Sequence, residues 1–252
     1  MDHQPASSSD LPAETQGRRA RRRAFRRDEI LRTALDLVTE GGLDAVTTTE
    51  LARRTGAALG ALYRFFPSKQ AVIAALQVRA LEELGADLQA DVEAAAARAA
   101  DLPERVRALV PIVAAADTFF AQPRLHPARF RLIDEILSKP APVYSDEEAH
   151  ALEETVRPIL AVVGERVSRH GAMFGGRANE ARLLPLMLWG GLHGVSHFIK
   201  RDRLSTPSSP TSAEVAGALV RTLLLGLGAT AAEVDDAVSA CGPRALHMAS
   251  PA

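Results

Sequence analysis

The amino-acid sequence predicts an all-α protein with a small basic N-terminal domain and a larger helical C-terminal domain. Hydrophobic residues make up 47% of its 252 residues, and alanine and leucine, both strong helix formers, dominate them. Apolar side chains recur at helical spacing, and no segment shows the alternation typical of a strand. Residues 1–79 carry 13 basic and 9 acidic side chains, whereas residues 80–252 carry 17 and 22. The basic front of the chain is therefore the part expected to meet a polyanion.

The composition also indicates the cellular compartment of the protein. Cys241 is the single cysteine of the sequence, which excludes an internal disulfide or a cysteine metal cluster and agrees with a reducing compartment. The N-terminus lacks an apolar segment of signal-peptide length. The longest apolar run, 183–199, is shorter than the roughly 20 residues of a membrane span and contains Pro185. We therefore expect a cytoplasmic protein with no membrane partner.

Residues 1–25 are predicted to form a disordered basic arm. The first 17 residues are polar and rich in proline and serine, a composition that buries too little apolar surface to fold. Seven arginines follow between Arg18 and Arg27. Such a run is either a solvated tail or an arm that binds phosphates. Its place directly before the first predicted helix favours the arm, with Arg22 and Arg23 among its contacts.

The first helix is predicted over residues 28–40, where apolar residues repeat at helical spacing. Gly41 and Gly42 end it, because glycine adopts the left-handed cap conformation at low cost. The apolar positions are Ile30, Leu31, Ala34, Leu35, Leu37 and Val38.

Two short helices are predicted next. Thr47 and Glu50 have the spacing of a capping box, so a helix of about eight residues is expected to begin there. Gly56 breaks this helix, and a second one is expected over about 58–65. Two short helices joined by a glycine turn, after a longer helix, predict a helix-turn-helix at about residues 47–66.

Three aromatic rings lie in or directly after the second short helix, although only 4% of the chain is aromatic. Leu62 and Phe66, four residues apart, can anchor this helix to the first one. Tyr63 is expected at the exposed edge, where its hydroxyl can reach a phosphate. Ser68 is predicted to cap a long helix from about Lys69, whose ammonium and first-turn N–H groups would favour the same anion.

Residues 26–76 resemble the DNA-binding domain of the TetR family of transcriptional regulators, over about fifty residues without a gap. The combination of features is highly specific, although each feature alone is common. The resemblance rests on Ile30-Leu31, Gly41-Gly42, Thr47, Leu51-Ala52, Gly56, Gly60, Leu62-Tyr63, Phe66 and Ser68-Lys69. It implies a three-helix DNA-binding domain and a helical effector-binding and dimerisation domain over residues 77–240. From the sequence itself, residues 241–252 are predicted to form a flexible tail.

The resemblance also implies which residues contact DNA. The second helix of a helix-turn-helix lies in the major groove. The implied phosphate contacts are Thr47, Tyr63 and Lys69, and the implied groove-facing positions are Leu59, Gly60, Ala61 and Arg64.

Three positions depart from the family pattern. Ala58 stands where the family often has serine, Leu59 where it has a polar residue, and Phe65 where it frequently has histidine. The groove face is therefore poor in hydrogen-bond donors, and Arg64 becomes the main candidate for base readout. Leu59 or Ala61 can touch a thymine methyl, and the alternative for Leu59 is simple packing.

The remainder of the chain is predicted to be helical. Proline and glycine mark the breaks, and Pro111 is expected to kink the helix that contains it. The predicted helices span about 69–99, 103–122, 126–138, 145–169, 179–200, 212–227 and 230–240, with a loop over 170–177.

The resemblance implies that the last two long helices pair with those of a second subunit. The first of them has an apolar face too broad for one monomer to cover readily, and Gly190 and Gly194 would allow backbones to approach closely. The alternative is an ordinary buried core helix. The expected interface residues are Leu184, Leu188, Gly190, Gly191, Gly194, Val195, Leu219 and Leu223.

An effector pocket is likewise implied by the resemblance. It would be mainly apolar, with His193, His126 or Arg129 as a polar group. Each aromatic candidate has ordinary core packing as its alternative. The candidate lining residues are Phe119, Phe120, Phe130, Met173, Phe174 and Trp189.

The sequence contains no motif for catalysis. His193 and His197 have metal-ligand spacing, but no cysteine lies near and no acidic residue stands between them, so core or interface histidines are expected and neither a metal nor a cofactor. We expect no enzyme. The leading interpretation is a dimeric repressor that a small, mainly apolar effector releases from a palindromic operator. The alternative is a protein-interaction module that keeps the helix-turn-helix without operator recognition.

Overall fold

The computed structural model describes residues 11–138, 145–170, 183–202, 206, 209–242 and 246. These residues form helices, turns and loops without a strand. The chain divides into two compact units, residues 1–76 and 77–252, and the division falls within one long helix. The predicted loop after residue 170, with Met173 and Phe174, lies outside the described residues, as do the first ten.

The N-terminal unit consists of three helices and the start of a fourth. They are α1 (Leu11–Gly41), α2 (Thr48–Thr55), α3 (Leu59–Leu62) and α4 (Lys69–Arg98), with a single 3₁₀ turn, Leu43–Ala45, after α1. Apolar side chains spaced along α1 meet those of the two short helices in one small core. Its buried members include Ile30, Ala34, Leu37, Val38, Val46, Leu51, Leu62 and Phe66.

Helix α1 corrects the prediction of a disordered arm. It begins at Leu11 rather than near residue 28, so the arginine-rich segment is helical. Alanine and arginine have high helix propensity, and each added residue extends an existing helix at little cost once the amphipathic part has formed. Arg22 and Arg23 are exposed on this extension, and Arg26 pairs with Glu29 one turn further on.

The C-terminal unit is built around a central helix, α5 (Glu104–Leu125). Its residues from Ala108 to Gln122 are all buried. A helix that is apolar on every side belongs at the centre of its domain. It contacts α6, α7, α8, α10 and α11 and continues through Pro111 and Pro123. The surrounding helices are α6 (Pro127–Ser138), α7 (Asp146–His170), α8 (Leu184–Ser196), α9 (Ile199–Asp202), α10 (Ser212–Gly226) and α11 (Ala231–Cys241).

Two predictions in this unit need correction. The helix predicted to reach residue 200 ends at Ser196, and the short α9 follows a turn. The tail was predicted to be flexible from residue 241, yet Cys241 ends α11 and is buried. Leu246 is also buried, and its backbone N–H donates to Asp117 Oδ1 at 2.9 Å. These contacts hold two points of the predicted tail against α5.

None of the described helices has the length and apolar character needed to cross a bilayer.

An ion pair joins α5 to the beginning of α11. The guanidinium of Arg105 donates to both carboxylate oxygens of Glu233 and, at 3.1 Å, to the Gly228 carbonyl. Glu233 also accepts from the N–H of Thr230, completing a capping box at α11. The Arg105 guanidinium, followed by the Thr230 N–H, lowers the pKa of Glu233 to about 2.

This depressed pKa predicts how stability depends on pH. Stability from the pair is fully present above the unfolded-state pKa of 4.5 and is lost as pH falls towards about 2. We therefore expect Arg105→Gln to lower the thermal unfolding midpoint at pH 7, and the difference from the unaltered protein to shrink between pH 4.5 and pH 3. The matched control is Arg107→Gln, because Arg107 is exposed on the same helix and its guanidinium makes a long, 3.5 Å contact with the Ala100 carbonyl. Equal effects of the two substitutions at pH 7 would contradict the assignment.

Candidate nucleic-acid interface and apolar cavity

The turn between α2 and α3 is built as a helix-turn-helix. Thr47 caps α2, its Oγ1 accepting from the Glu50 N–H at 3.1 Å. Gly56 ends α2 with φ 63° and ψ 18°, a left-handed conformation that favours glycine. Leu51 and Leu62 are completely buried and hold the two short helices together. The predicted helix-turn-helix is thus confirmed as a structure.

The predicted capping box at Thr47 forms only in part. The Glu50 carboxylate binds Arg53 and Arg54 instead of the Thr47 N–H. Arg54 also binds Glu40 through two hydrogen bonds of 2.7 and 2.6 Å, which ties the end of α1 to α2. The guanidinium groups of Arg53 and then Arg54 lower the pKa of Glu50 to about 2. Both arginines of α2 are therefore engaged within the subunit.

Helix α3 is shorter than predicted. It spans Leu59–Leu62, although hydrogen-bonded turns continue as far as Phe66, whose N–H donates to the Leu62 carbonyl at 3.0 Å. Ala58 precedes it without a side-chain cap, since alanine offers no acceptor. The sequence pattern correctly predicted a helical segment here. It predicted an α-helix over about 58–65, whereas the α-helix covers Leu59–Leu62.

The outward face of this segment carries most of the predicted DNA contacts. Leu59 is 44% exposed and Tyr63 46%, and Gly60 and Arg64 are also exposed. Ala61 is half-buried. The packing alternative for Leu59 is therefore wrong within this subunit. The side chains of Leu59 and Arg64 are instead both exposed to solvent.

The start of α4 lies directly after this face. Ser68 Oγ accepts from the Ala71 N–H at 3.0 Å, so the predicted cap of the long helix is confirmed. Lys69 is half-buried in the first turn. The Arg27 guanidinium lies 4.9 Å from the ring centre of Phe66, a cation–π contact that sequence reasoning missed. It links the arginine-rich part of α1 to the end of the α3 segment.

The C-terminal unit contains an apolar cavity of about 50 Å³. Phe119 and Trp189, two of the predicted residues, line it. The Trp189 Nε1 atom is buried and has no hydrogen-bond partner among the described residues. The full lining is Leu84, Leu88, Ala115, Ala116, Phe119, Ile159, Leu160, Val163, Pro185, Leu188, Trp189 and Leu192.

Other predicted pocket residues lie elsewhere. Phe120 is buried in the core, and Phe130 packs against His193 with ring centres 5.9 Å apart, so none of these three lines the cavity. Arg129 pairs with Asp87, which removes it as a free polar group.

A cluster of polar side chains joins α6 to α8. Asp134 Oδ1 lies 3.1 Å from Nε2 of His193 and 3.1 Å from Nε2 of His197. Burial lowers the pKa of His193, opposed by the negative charge of Asp134. Sequence reasoning missed Asp134 because it lies about sixty residues before the histidines and on another helix.

The predicted interface residues divide between two faces of α8. Leu184, Leu188 and Val195 are buried inside the subunit, so assigning them to a partner-facing surface was wrong. Gly191 packs against Leu219, because a Cβ at this glycine would lie 2.6 Å from a Leu219 methyl. Leu223 is half-buried on α10. We call the exposed apolar surface of these two helices the outer face; it comprises Leu183, Leu186, Met187, Gly190, Gly194 and Phe198 on or next to α8, and Val215 and Leu225 on α10.

Comparison with known proteins finds a family match within the N-terminal unit. Residues 30–76 match the model of the tetR family of bacterial regulatory proteins. A segment of 59 residues is 39% identical to the HTH-type transcriptional repressor KstR of Rhodococcus jostii (strain RHA1). That match covers 23% of this chain and 28% of the repressor's length.

Solved structures resemble the chain over a longer range. FadR of Bacillus subtilis in complex with stearoyl-CoA is 14% identical with a TM-score of 0.54, covering 80% of this chain and 97% of that one. AibR in complex with isovaleryl coenzyme A and operator DNA is 14% identical with a TM-score of 0.53, covering 78% and 97%. At this identity the likeness shows the fold alone. The family match covers residues 30–76, the part of the chain that contains the helix-turn-helix.

Proposed function

We propose that this protein is a TetR-family transcriptional regulator, a dimeric repressor that binds a palindromic operator and is released by a small, mainly apolar ligand. The proposal rests on the way the α3 segment is anchored on one side and exposed on the other. Its buried side anchors it through Leu62 and Phe66, and its other side exposes Leu59, Tyr63 and Arg64 to solvent. A helix presented in this way fits the major groove.

The contacts to DNA divide into positioning and readout. Thr47, Tyr63 and Lys69 supply hydroxyl and ammonium groups suited to phosphate oxygens, which fix orientation without reading sequence. Arg22 and Arg23 would add phosphate contacts from exposed positions on α1. Readout falls to Arg64, because Arg53 and Arg54 are engaged with Glu50. The readout surface is completed by Leu59, Gly60 and Ala61, which offer close apolar approach to a thymine methyl.

The outer face of α8 and α10 supports a homodimer. Exposed apolar side chains lie on both helices, and a Cβ at Gly190 or Gly194 would meet no atom within 4 Å among the described residues. A second copy of the face can cover this surface through a two-fold interface. Such a dimer would present two α3 segments to two half-sites about one helical turn apart.

The effector proposal rests on the cavity. Its lining is apolar except for Trp189, whose buried Nε1–H has no partner among the described residues, although a buried indole N–H usually finds one. An apolar group next to a carbonyl oxygen satisfies both features. The similar folds of FadR and AibR hold stearoyl-CoA and isovaleryl coenzyme A. We therefore propose that the small, mainly apolar group bound in the cavity is the acyl end of a thioester, and the volume of about 50 Å³ favours a short acyl chain.

One observation favours the alternative function. Leu59 is a large apolar side chain exposed on the segment that would enter the groove, where hydrogen-bond donors are scarce. A protein-interaction module would use such a surface for a protein partner. Genome-wide footprinting separates the two functions: a repressor protects discrete sites, and a module protects none.

The division of DNA contacts predicts different effects of three substitutions. Tyr63→Ala and Lys69→Ala should weaken binding to all sequences alike. Lys69→Ala should also reduce the slope of log affinity against log salt by about one, whereas Tyr63→Ala should leave the slope unchanged because the hydroxyl carries no charge. Arg64→Ala should cost about 1–3 kcal/mol at the preferred operator and relax base preference at one position. The measurement is selection of bound DNA by purified protein, followed by salt-dependent titrations. Equal loss of preference in all three variants would refute the division.

The outer face predicts a change of oligomeric state. Leu186 is 56% exposed on α8, so Leu186→Glu should convert the dimer to monomers because it places a charge in the apolar interface. Leu125→Glu is the matched control, since Leu125 is 60% exposed at the end of α5, outside both helices. Sedimentation equilibrium measures both variants. Dissociation by both substitutions, or by neither, would argue against the outer face.

The cavity predicts a direct optical signal. Trp189 is the single tryptophan of the chain, so ligand entry should change the intrinsic fluorescence. We expect isovaleryl-CoA to change it and to release operator DNA. Trp189→Phe should keep operator affinity but weaken effector-driven release about 2–10-fold, the cost of one hydrogen bond. If the variant is released from operator DNA as readily as the unaltered protein, Trp189 does not contact the ligand.

A further inference from the structure

We propose that Asp134, His193 and His197 form a binding site for a divalent transition-metal cation of the Zn²⁺ type. Three potential ligand atoms converge on one point: Oδ1 of Asp134 and Nε2 of each histidine. The aspartate lies on α6, and the histidines lie four residues apart on or directly after α8. The site is separate from the candidate DNA contacts and from the lining of the apolar cavity.

The distances suit metal coordination. The two Nε2 atoms are 3.4 Å apart, and each lies 3.1 Å from Asp134 Oδ1. A point about 2.1 Å from all three atoms, the usual Zn²⁺–N and Zn²⁺–O distance, lies about 1 Å from their plane. A cation can therefore reach all three without movement of the helices. It would keep at least one open position for water, because three protein ligands leave tetrahedral coordination incomplete.

The donor set decides the class of ion. Two imidazoles and one carboxylate favour borderline cations such as Zn²⁺ and Co²⁺, whereas Mg²⁺ and Ca²⁺ prefer sites made of oxygen ligands. The side chain of His193 is 11% exposed, that of Asp134 30% and that of His197 51%, so the site has a protected and an open side. An ion can enter from the side of His197.

The surroundings of the site limit its affinity. Ser138 Oγ donates to Asp134 Oδ1 at 3.0 Å and orients the carboxylate. His193 Nδ1 is buried without a hydrogen-bond partner in the described parts of the chain, although metal-bound histidines usually donate from this second nitrogen. We expect affinity about 10–100-fold below that of a fully supported site of the same ligands. Such a cation would join α6 to α8 and stabilise the folded state.

The test uses the untagged full-length protein after removal of metals with EDTA. Titration with Co²⁺ should produce visible d–d absorption that saturates at one equivalent per subunit, and Zn²⁺ should remove it by displacement. Zn²⁺ should raise the thermal unfolding midpoint, and Mg²⁺ at the same concentration should not. Failure of the Co²⁺ absorption to appear would overturn the proposal and leave Asp134 as a hydrogen-bond acceptor for the two imidazoles.

Substitutions assign the signal to this site. His197→Ala changes an exposed side chain and should lower Co²⁺ affinity at least ten-fold, as should Asp134→Asn. His150→Ala is the matched control, because His150 is exposed on α7 and lies outside the cluster. Unfolding midpoints measured in EDTA establish that each variant is folded. Equal Co²⁺ affinity of His197→Ala and the unaltered protein would also overturn the proposal.

Discussion

The proposed DNA-binding surface depends on the burial of a few apolar side chains beneath a helix that cannot exist alone. Helix α3 has four residues, and an isolated helix of that length is not stable in water. Leu51 and Leu62 are completely buried and Phe66 is 2% exposed, so tertiary packing holds the segment in its helical form. The exposed residues of α3 contribute little to this packing. The anchoring side is therefore constrained by the fold, whereas the outward side is free to change with the operator.

Electrostatic contacts add a second constraint on the same unit. Arg54 joins Glu40 of α1 to Glu50 of α2, and Arg27 lies over Phe66 at the end of the α3 segment. Both contacts use basic residues that could otherwise meet DNA. The basic excess of the N-terminal unit is therefore only partly available to a polyanion. The proposed base readout therefore depends mainly on Arg64, because the arginines of α2 already form ion pairs within the subunit.

Helix caps and helix breaks could be predicted from the sequence, because they depend on residues close together in the chain. Contacts between distant segments could not. The cap at Thr47, the helix break at Gly56 and the cap at Ser68 depend on neighbouring residues, and all three appear in the structure. The start of α1 was predicted too late, because a polar, arginine-rich composition suggests disorder although its residues propagate a helix well.

For the candidate sites, too, the sequence could not predict which distant segments pack together. The apolar positions of α8 were visible in the sequence, but which of them face the subunit core depends on where α5, α7 and α10 pack. Leu184 was thus assigned to the wrong side, while Gly190 was placed on the outer face. Phe119 and Trp189 were found because aromatic residues are few. Asp134 had no local signal that connected it to the two histidines, since only the packing of α6 against α8 brings them together.

Helix α8 combines four features that would otherwise be independent. Leu188, Trp189 and Leu192 line the cavity on one side, and Gly191 packs closely against α10 on another. The outer face and the histidine cluster occupy the remainder of its circumference. A helix packed at native density shifts as a unit rather than deforming locally. A ligand that enlarges the small cavity must therefore displace side chains of α7 or move α8 itself, and any movement of α8 also changes the outer face and the distance from Asp134 to His193. If the effector, the second subunit and the cation bind where we propose, all three would act on one structural element, and their binding free energies would be coupled without any direct contact among the ligands.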